Sequence, residues 1–129
     1  MLAYAEALAF LVIMMSAIGQ QASALNFLQY LRQMMEKTES QDLSIELWFK
    51  YAIGWYRDVF ESDPWQTLVA YEDGLSRAEL IGSRRMIGNT KFNAGLAELR
   101  LGELAHGEQR VHDFVETFAV QLLRILKAV

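Results

Sequence analysis

At 129 residues the chain has the length of one domain and enough material to bury a core without staples. Hydrophobic residues make up 53% of it, with one proline and no cysteine, which excludes a disordered chain, a disulfide framework and thiolate metal sites. A net charge of −4 argues against coating nucleic acid through counterion release, so nucleic acid is not an expected partner.

The first 31 residues carry a single charged side chain, Glu6. Leu2 to Ile18 is a nearly continuous apolar run, broken only by Glu6 and Ser16. A membrane span needs about 20 residues, and Gln20, Gln21, Ser23 and Asn26 follow too soon. Membrane association through residues 2–18 is therefore the alternative, not the favoured reading. Ala22-Ser23-Ala24 resembles a secretory cleavage site, but no Lys or Arg precedes the apolar run. The apolar pattern continues as Ala24, Leu28, Leu31 and Met35, with Gln21, Gln29, Arg32 and Glu36 beside it. The expectation is one long helix, wholly buried in its first half. In a bundle this small, such burial calls for a second subunit, with Leu8, Leu11 and Met15 in the interface.

No stretch combines period-two alternation with β-branched residues, so strands are not expected. Thr38-x-x-Gln41 predicts the cap of a helix running to about Glu61. One stripe of that helix holds Ile45, Trp48, Ala52, Trp55 and Val59; another holds Phe49, Ile53, Tyr56 and Phe60. A helix apolar on so much of its circumference is either central or buried on a second face by another chain, with Trp48 and Trp55 as interface residues. Helical spacing of Trp48, Tyr51, Trp55 and Tyr56 favours core packing over a platform for bases.

Asp63-Pro64 predicts an N-cap followed by proline at the first helical position. Gly74 is expected to end that helix, Ser76-x-x-Glu79 to cap the next and Asn89-Thr90 to open another. His106-Gly107 is expected to break or bend the chain before the last helix. Gly88, Gly95 and Gly102 lie seven residues apart. Each costs about 1 kcal/mol relative to alanine inside a helix, so close approach of another helix backbone is the expected compensation, and all three are interface candidates. In the last helix Val111, Val115, Phe118, Leu122, Ile125 and Val129 recur at spacings of four and three, the pattern of an amphipathic core helix.

Charge is unevenly spread. From Glu36 to Asp73 nine acids face three bases, whereas from Arg77 to Arg100 five bases face two acids. Such halves suit pairing within one bundle, head-to-tail self-association, or a basic protein partner steered by the acidic region.

Some spacings point to chemistry. Arg100 and His106, five residues apart in between, resemble the Arg-x(4–6)-His signature of HEPN-domain ribonucleases, although Leu101 replaces the usual polar residue after the arginine. The resemblance implies a dimer pairing two motifs, with Arg100 stabilising phosphate charge and His106 as general acid–base. Glu36-x-x-Glu39 and Asp58-x-x-Glu61 resemble the paired acidic motifs of MazG-type pyrophosphohydrolases, but they fall at predicted helix ends, where acids complement the next helix dipole. Glu103-x-x-His106 has di-iron bundle spacing, yet it occurs once. His112 and Glu116 read as a surface pair. Arg84, Arg85 and Lys91 form a modest basic patch. No cofactor and no metal is expected.

The expected fold is all-α, a compact bundle of about five or six helices in a single domain over residues 1–129, with a long apolar N-terminal helix. The expected role is non-enzymatic: a cytoplasmic interaction or assembly module, either a homo-oligomeric subunit or a small acidic inhibitor or immunity-type binder. A HEPN-like ribonuclease using Arg100 and His106 is the alternative from another class.

Overall fold

Glycine sets the length of three helices. At Gly19 the backbone takes φ +80°, Gln20 N–H donates to Met15 O at 2.8 Å, and Gly19 N–H donates to Ser16 O at 3.1 Å. This left-handed stop satisfies the last carbonyls, and only glycine adopts it without strain. The chain is described by a computed structural model over residues 2–37 and 42–128. The stop divides the predicted long N-terminal helix into α1 (Leu2–Ala17) and α2 (Gln21–Lys37), which pack on each other as a hairpin. Gly82 (φ +77°) and Gly102 (φ +83°) end α4 (Pro64–Ile81) and α5 (Arg84–Arg100) in the same way.

Among the described residues there are six α-helices and no strand, so the fold is an all-α helical bundle. α3 (Leu43–Tyr56) is the central helix: it packs against α1, α2 and α4 and buries Ile45, Trp48, Phe49, Ala52 and Tyr56 on several sides. Its N-cap is Asp42, whose carboxylate accepts from Ser44 N–H at 3.0 Å. The predicted Thr38–Gln41 cap lies outside the described residues. One π-helical turn, Arg57–Glu61, continues α3 to the expected end. Asp63 then caps α4, accepting from Trp65 and Gln66 N–H ahead of Pro64 at the first turn.

Four expected boundaries are corrected. Gly74 does not end a helix; it lies inside α4, where an added Cβ would touch the Lys50 Cβ at 3.5 Å. Ser76 is consequently mid-helix, and the cap of α5 is Ser83, which accepts from Met86 N–H. Asn89-Thr90 is also mid-helix: the Thr90 hydroxyl donates back to Met86 O, and the Asn93 amide reaches both Asn89 O and the Tyr51 hydroxyl. The break before the last helix falls at Gly102, not at His106-Gly107.

α1 is apolar all round but buried on one side only. Ala5, Leu8, Ala9, Val12 and Ser16 face inward, while Tyr4, Phe10 and Met14, and Ile18 just past the helix end, are exposed. At 16 residues it is too short to span a bilayer, and no helix among the described residues is long and apolar enough to cross a membrane.

The last helix, α6 (Leu104–Ala128), departs furthest from expectation. It runs 25 residues beside the 17 of α5 and packs principally on α5. Val111 and Phe114 are half-buried there, and the Phe114 and Phe92 rings lie 4.5 Å apart. Val115, Phe118, Leu122 and Ile125 are between 45% and 62% exposed, so from Val115 on the predicted core stripe is a surface; its last member, Val129, lies outside the described residues. The buried core cluster is drawn from α1 to α5, and among the described residues the apolar side chains on the last turns of α6 are exposed.

Candidate functional site

The α5–α6 seam gathers most of the unusual chemistry. Its closest point is a glycine crossing. A Cβ built on Gly95 would stand 2.9 Å from the Arg110 Cβ and 3.0 Å from the Gly107 carbonyl oxygen. The helix backbones approach this closely only because neither residue has a side chain. The other two glycines of the heptad-spaced set play separate parts. Gly88 has open space apart from Phe114 at 3.9 Å, and Gly102 is the stop of α5.

One turn beyond the crossing lies a buried carboxylate. Glu98 is on the face of α5 that also carries Ala94, Gly95 and Ala97, and its carboxylate is only 4% exposed. One oxygen accepts from Arg110 of α6 and the other meets His106 Nδ1. Arg110 also bonds Glu72 of α4, so a four-residue chain ties α4, α5 and α6 together. Charge-assisted bonds of this kind offset the cost of removing Glu98 from water. Neither Glu98 nor Arg110 stood out in the sequence; the one available signal was an acid placed among small residues on an otherwise apolar face.

Arg100 and His106 are held by different acids. Arg100 pairs with Asp58 of the π-turn and donates from Nε to Leu96 O at 3.4 Å. The His106 ring is 63% exposed and turned to Glu98, not to Glu103. A phosphate at Arg100 would have to displace Asp58. Of the MazG-like acids, Glu39 lies outside the described residues, while Asp58 and Glu61 are paired with Arg100 and Arg57. On α6 the donor atoms of His112, Asp113 and Glu116 lie within 4.8 Å of one another. They sit on an exposed face, where His112 pairs with Glu116 and Gln109 donates to Asp113.

Acids of the Glu36–Asp73 region find partners within the chain, two of them in the Arg77–Arg100 region. Lys50 meets Asp73 at 3.4 Å and Arg77 meets Glu46 at 3.2 Å, beside the Arg100–Asp58 and Arg110–Glu72 pairs. Four acids of the Glu36–Asp73 region are thereby engaged.

The sequence-derived interface residues mostly point inward. Leu8 and Trp48 are buried, Leu11, Met15 and Trp55 are half-buried, and Gly95 is covered by α6 of the same chain. Trp48, Trp55 and Phe10 line a small groove of about 220 Å³ that Arg85 and Asn89 close from α5. A larger groove of about 600 Å³ runs between α5 and α6, with Arg84, Arg85 and Asn89 on one side and Phe114, Phe118 and Gln121 on the other. Beyond it, Leu122, Leu123, Ile125 and Leu126 stand exposed on the last two turns of α6. Compared with protein-family models, curated proteins and solved structures, the chain matches none.

Proposed function

We propose that the chain is a non-enzymatic interaction and assembly module, acting in the cytoplasm, whose docking surface is the exposed apolar stripe of α6. The observation that carries this reading is the contiguous exposure of Val115, Phe118, Leu122, Ile125 and Leu126 on a helix that packs principally on α5. An apolar stripe of this size and regularity is rare on a surface that meets only water, and it has the form of a helix presented to a partner. Glu46, Asp58, Glu72 and Asp73 are paired within the chain, which weakens steering of a basic protein by the acidic region and supports α6 over that region as the docking surface. The exposed residues Tyr4, Phe10 and Met14 of α1, with Ile18 just past its end, offer a second and smaller apolar face.

The test is a surface variant, Leu122→Asp with Ile125→Asp. Both positions are exposed, so the helical content and melting temperature are expected to hold. Association, measured as self-association by sedimentation and as site-specific photocrosslinking from α6 inside cells, is expected to fall at least tenfold. Equal behaviour of the variant and the natural sequence in both assays overturns the reading.

A further inference from the structure

The geometry points to a small-molecule site in the groove between α5 and α6. Its ligand is an organic anion with a flat aromatic body, the acid group on Arg84 and Arg85 and the ring on Phe114 and Phe118. This site is separate from the apolar stripe further along α6: it is concave, and two helices build it. At about 600 Å³ the groove falls within the range of about 300–1,000 Å³ that small-molecule sites occupy.

Charge sets the sign of the ligand. The chain as a whole carries −4, yet among the described residues lining the groove the only charged side chains are two arginines. Arg84 makes no ion pair among the described residues, and Arg85 has an exposed one with Glu6 at 3.4 Å. An exposed pair of that kind contributes little, so an incoming carboxylate or phosphate displaces it at small cost. Guanidinium forks match either group with paired hydrogen bonds. The neighbouring hollow that shares Arg84 adds a third guanidinium, Arg124; its one acid, Glu116, is paired with His112.

The walls set the body of the ligand. Phe114 and Phe118 stand one turn apart on α6 with their rings 12° from parallel and their centroids 6.5 Å apart. Phe92 lies 4.5 Å from Phe114 and holds that ring in place. On α5 the groove is lined by Gly88, where an added Cβ would meet only Phe114, at 3.9 Å, so the space beside the rings is open. A flat ring stacks on such faces as an alkyl chain cannot, gaining about two- to tenfold in affinity beyond its area.

The experiment titrates the full chain with naphthoate, by calorimetry and by amide chemical shifts. Decanoate serves as the aliphatic anion and naphthylmethylamine as the aromatic cation. Naphthoate is expected to saturate one site, with shifts centred on Gly88, Asn89 and Gln121. Decanoate and the amine are expected to bind at least about fivefold more weakly. Arg84→Gln with Arg85→Gln is expected to weaken naphthoate about tenfold or more. Gly88→Leu is expected to fill the groove and abolish binding while circular dichroism and melting temperature hold. Leu122→Asp with Ile125→Asp is expected to leave naphthoate binding unchanged, which separates this site from the docking stripe. No saturable binding at millimolar naphthoate, or binding that survives both the arginine and the Gly88 variants, overturns the site. The amine binding as tightly overturns the anion, and decanoate binding as tightly overturns the aromatic body.

Discussion

Gly95 of α5 and Gly107 of α6 meet backbone to backbone: a Cβ on Gly107 would stand 2.8 Å from the Gly95 carbonyl oxygen, and one on Gly95 would stand 3.0 Å from that of Gly107. Because α6 packs principally on α5, this crossing is the closest backbone approach in its attachment that the glycines mark. The atoms in the way are backbone, which cannot swing aside as a long side chain does. Gly107→Ala is therefore expected to cost about 1–3 kcal/mol. Gly88→Ala is the control: its Cβ would meet only Phe114, at 3.9 Å, so removing a helical glycine is expected to stabilise by about 0.5–1 kcal/mol. Urea midpoints separate the two signs. Amide exchange in Gly107→Ala is expected to quicken first along α6, before the core helices respond.

A second glycine admits a ring. At Gly54 an added Cβ would lie 2.6 Å from Tyr71 Cε1, where the tyrosine packs on the backbone of α3. Tyr71 is buried and stacks edge-on against Tyr51, so it has nowhere to move. Gly54→Ala is expected to destabilise by about 1–3 kcal/mol. In a Tyr71→Leu background the same change is expected to cost markedly less, and a double-mutant cycle measures the difference. Additive costs would show that the ring and the missing side chain are independent.

Glu98 and His106 share a bond but not its weight. Glu98→Ala is expected to cost about 2–4 kcal/mol, since it strips a buried partner from Arg110 and leaves Glu72 alone to meet it. His106→Ala removes a ring that is mostly in water and is expected to cost less than about 1 kcal/mol. Thermal denaturation of both variants at neutral pH checks the order.

Tyr51 and Tyr71 give the fold an alkaline limit. Burial raises both phenols above the ordinary value of 10.0, Tyr71 strongly, with the neighbouring Tyr51 adding to the effect at Tyr71. The native state therefore holds these protons more tightly than the unfolded chain. Their contribution to stability is complete below pH 10.0 and declines as pH rises above it. Ultraviolet titration is expected to show part of the phenolate signal appearing only together with loss of helical circular dichroism. Tyr71→Phe is expected to move that unfolding to higher pH.

Much of the local structure was legible in the residues. Asp63-Pro64 predicted the start of α4 because a capping carboxylate followed by proline has few other uses, and the two-sided apolar pattern around Trp48 marked α3 as central or doubly buried. Glycine was harder. Gly19, Gly82 and Gly102 stop helices, whereas Gly54, Gly74, Gly95 and Gly107 lie inside them where another element comes close. Both uses need the absence of a Cβ, so the residue type alone does not distinguish them; the distinction lies in what stands beside it.

The sequence by itself determined that the chain is helical, that the helix around Trp48 ends near Glu61 ahead of the Asp63 cap, and that its N-terminal third is apolar, because capping and periodicity act over a few residues. Only the tertiary structure decided that α1 and α2 fold back as a hairpin, that Glu98 and Arg110 find each other, and that the stripe of α6 faces outward. Periodicity says that a face needs cover. It does not say whether the same chain supplies that cover, and here the buried core cluster is drawn from the five helices before α6.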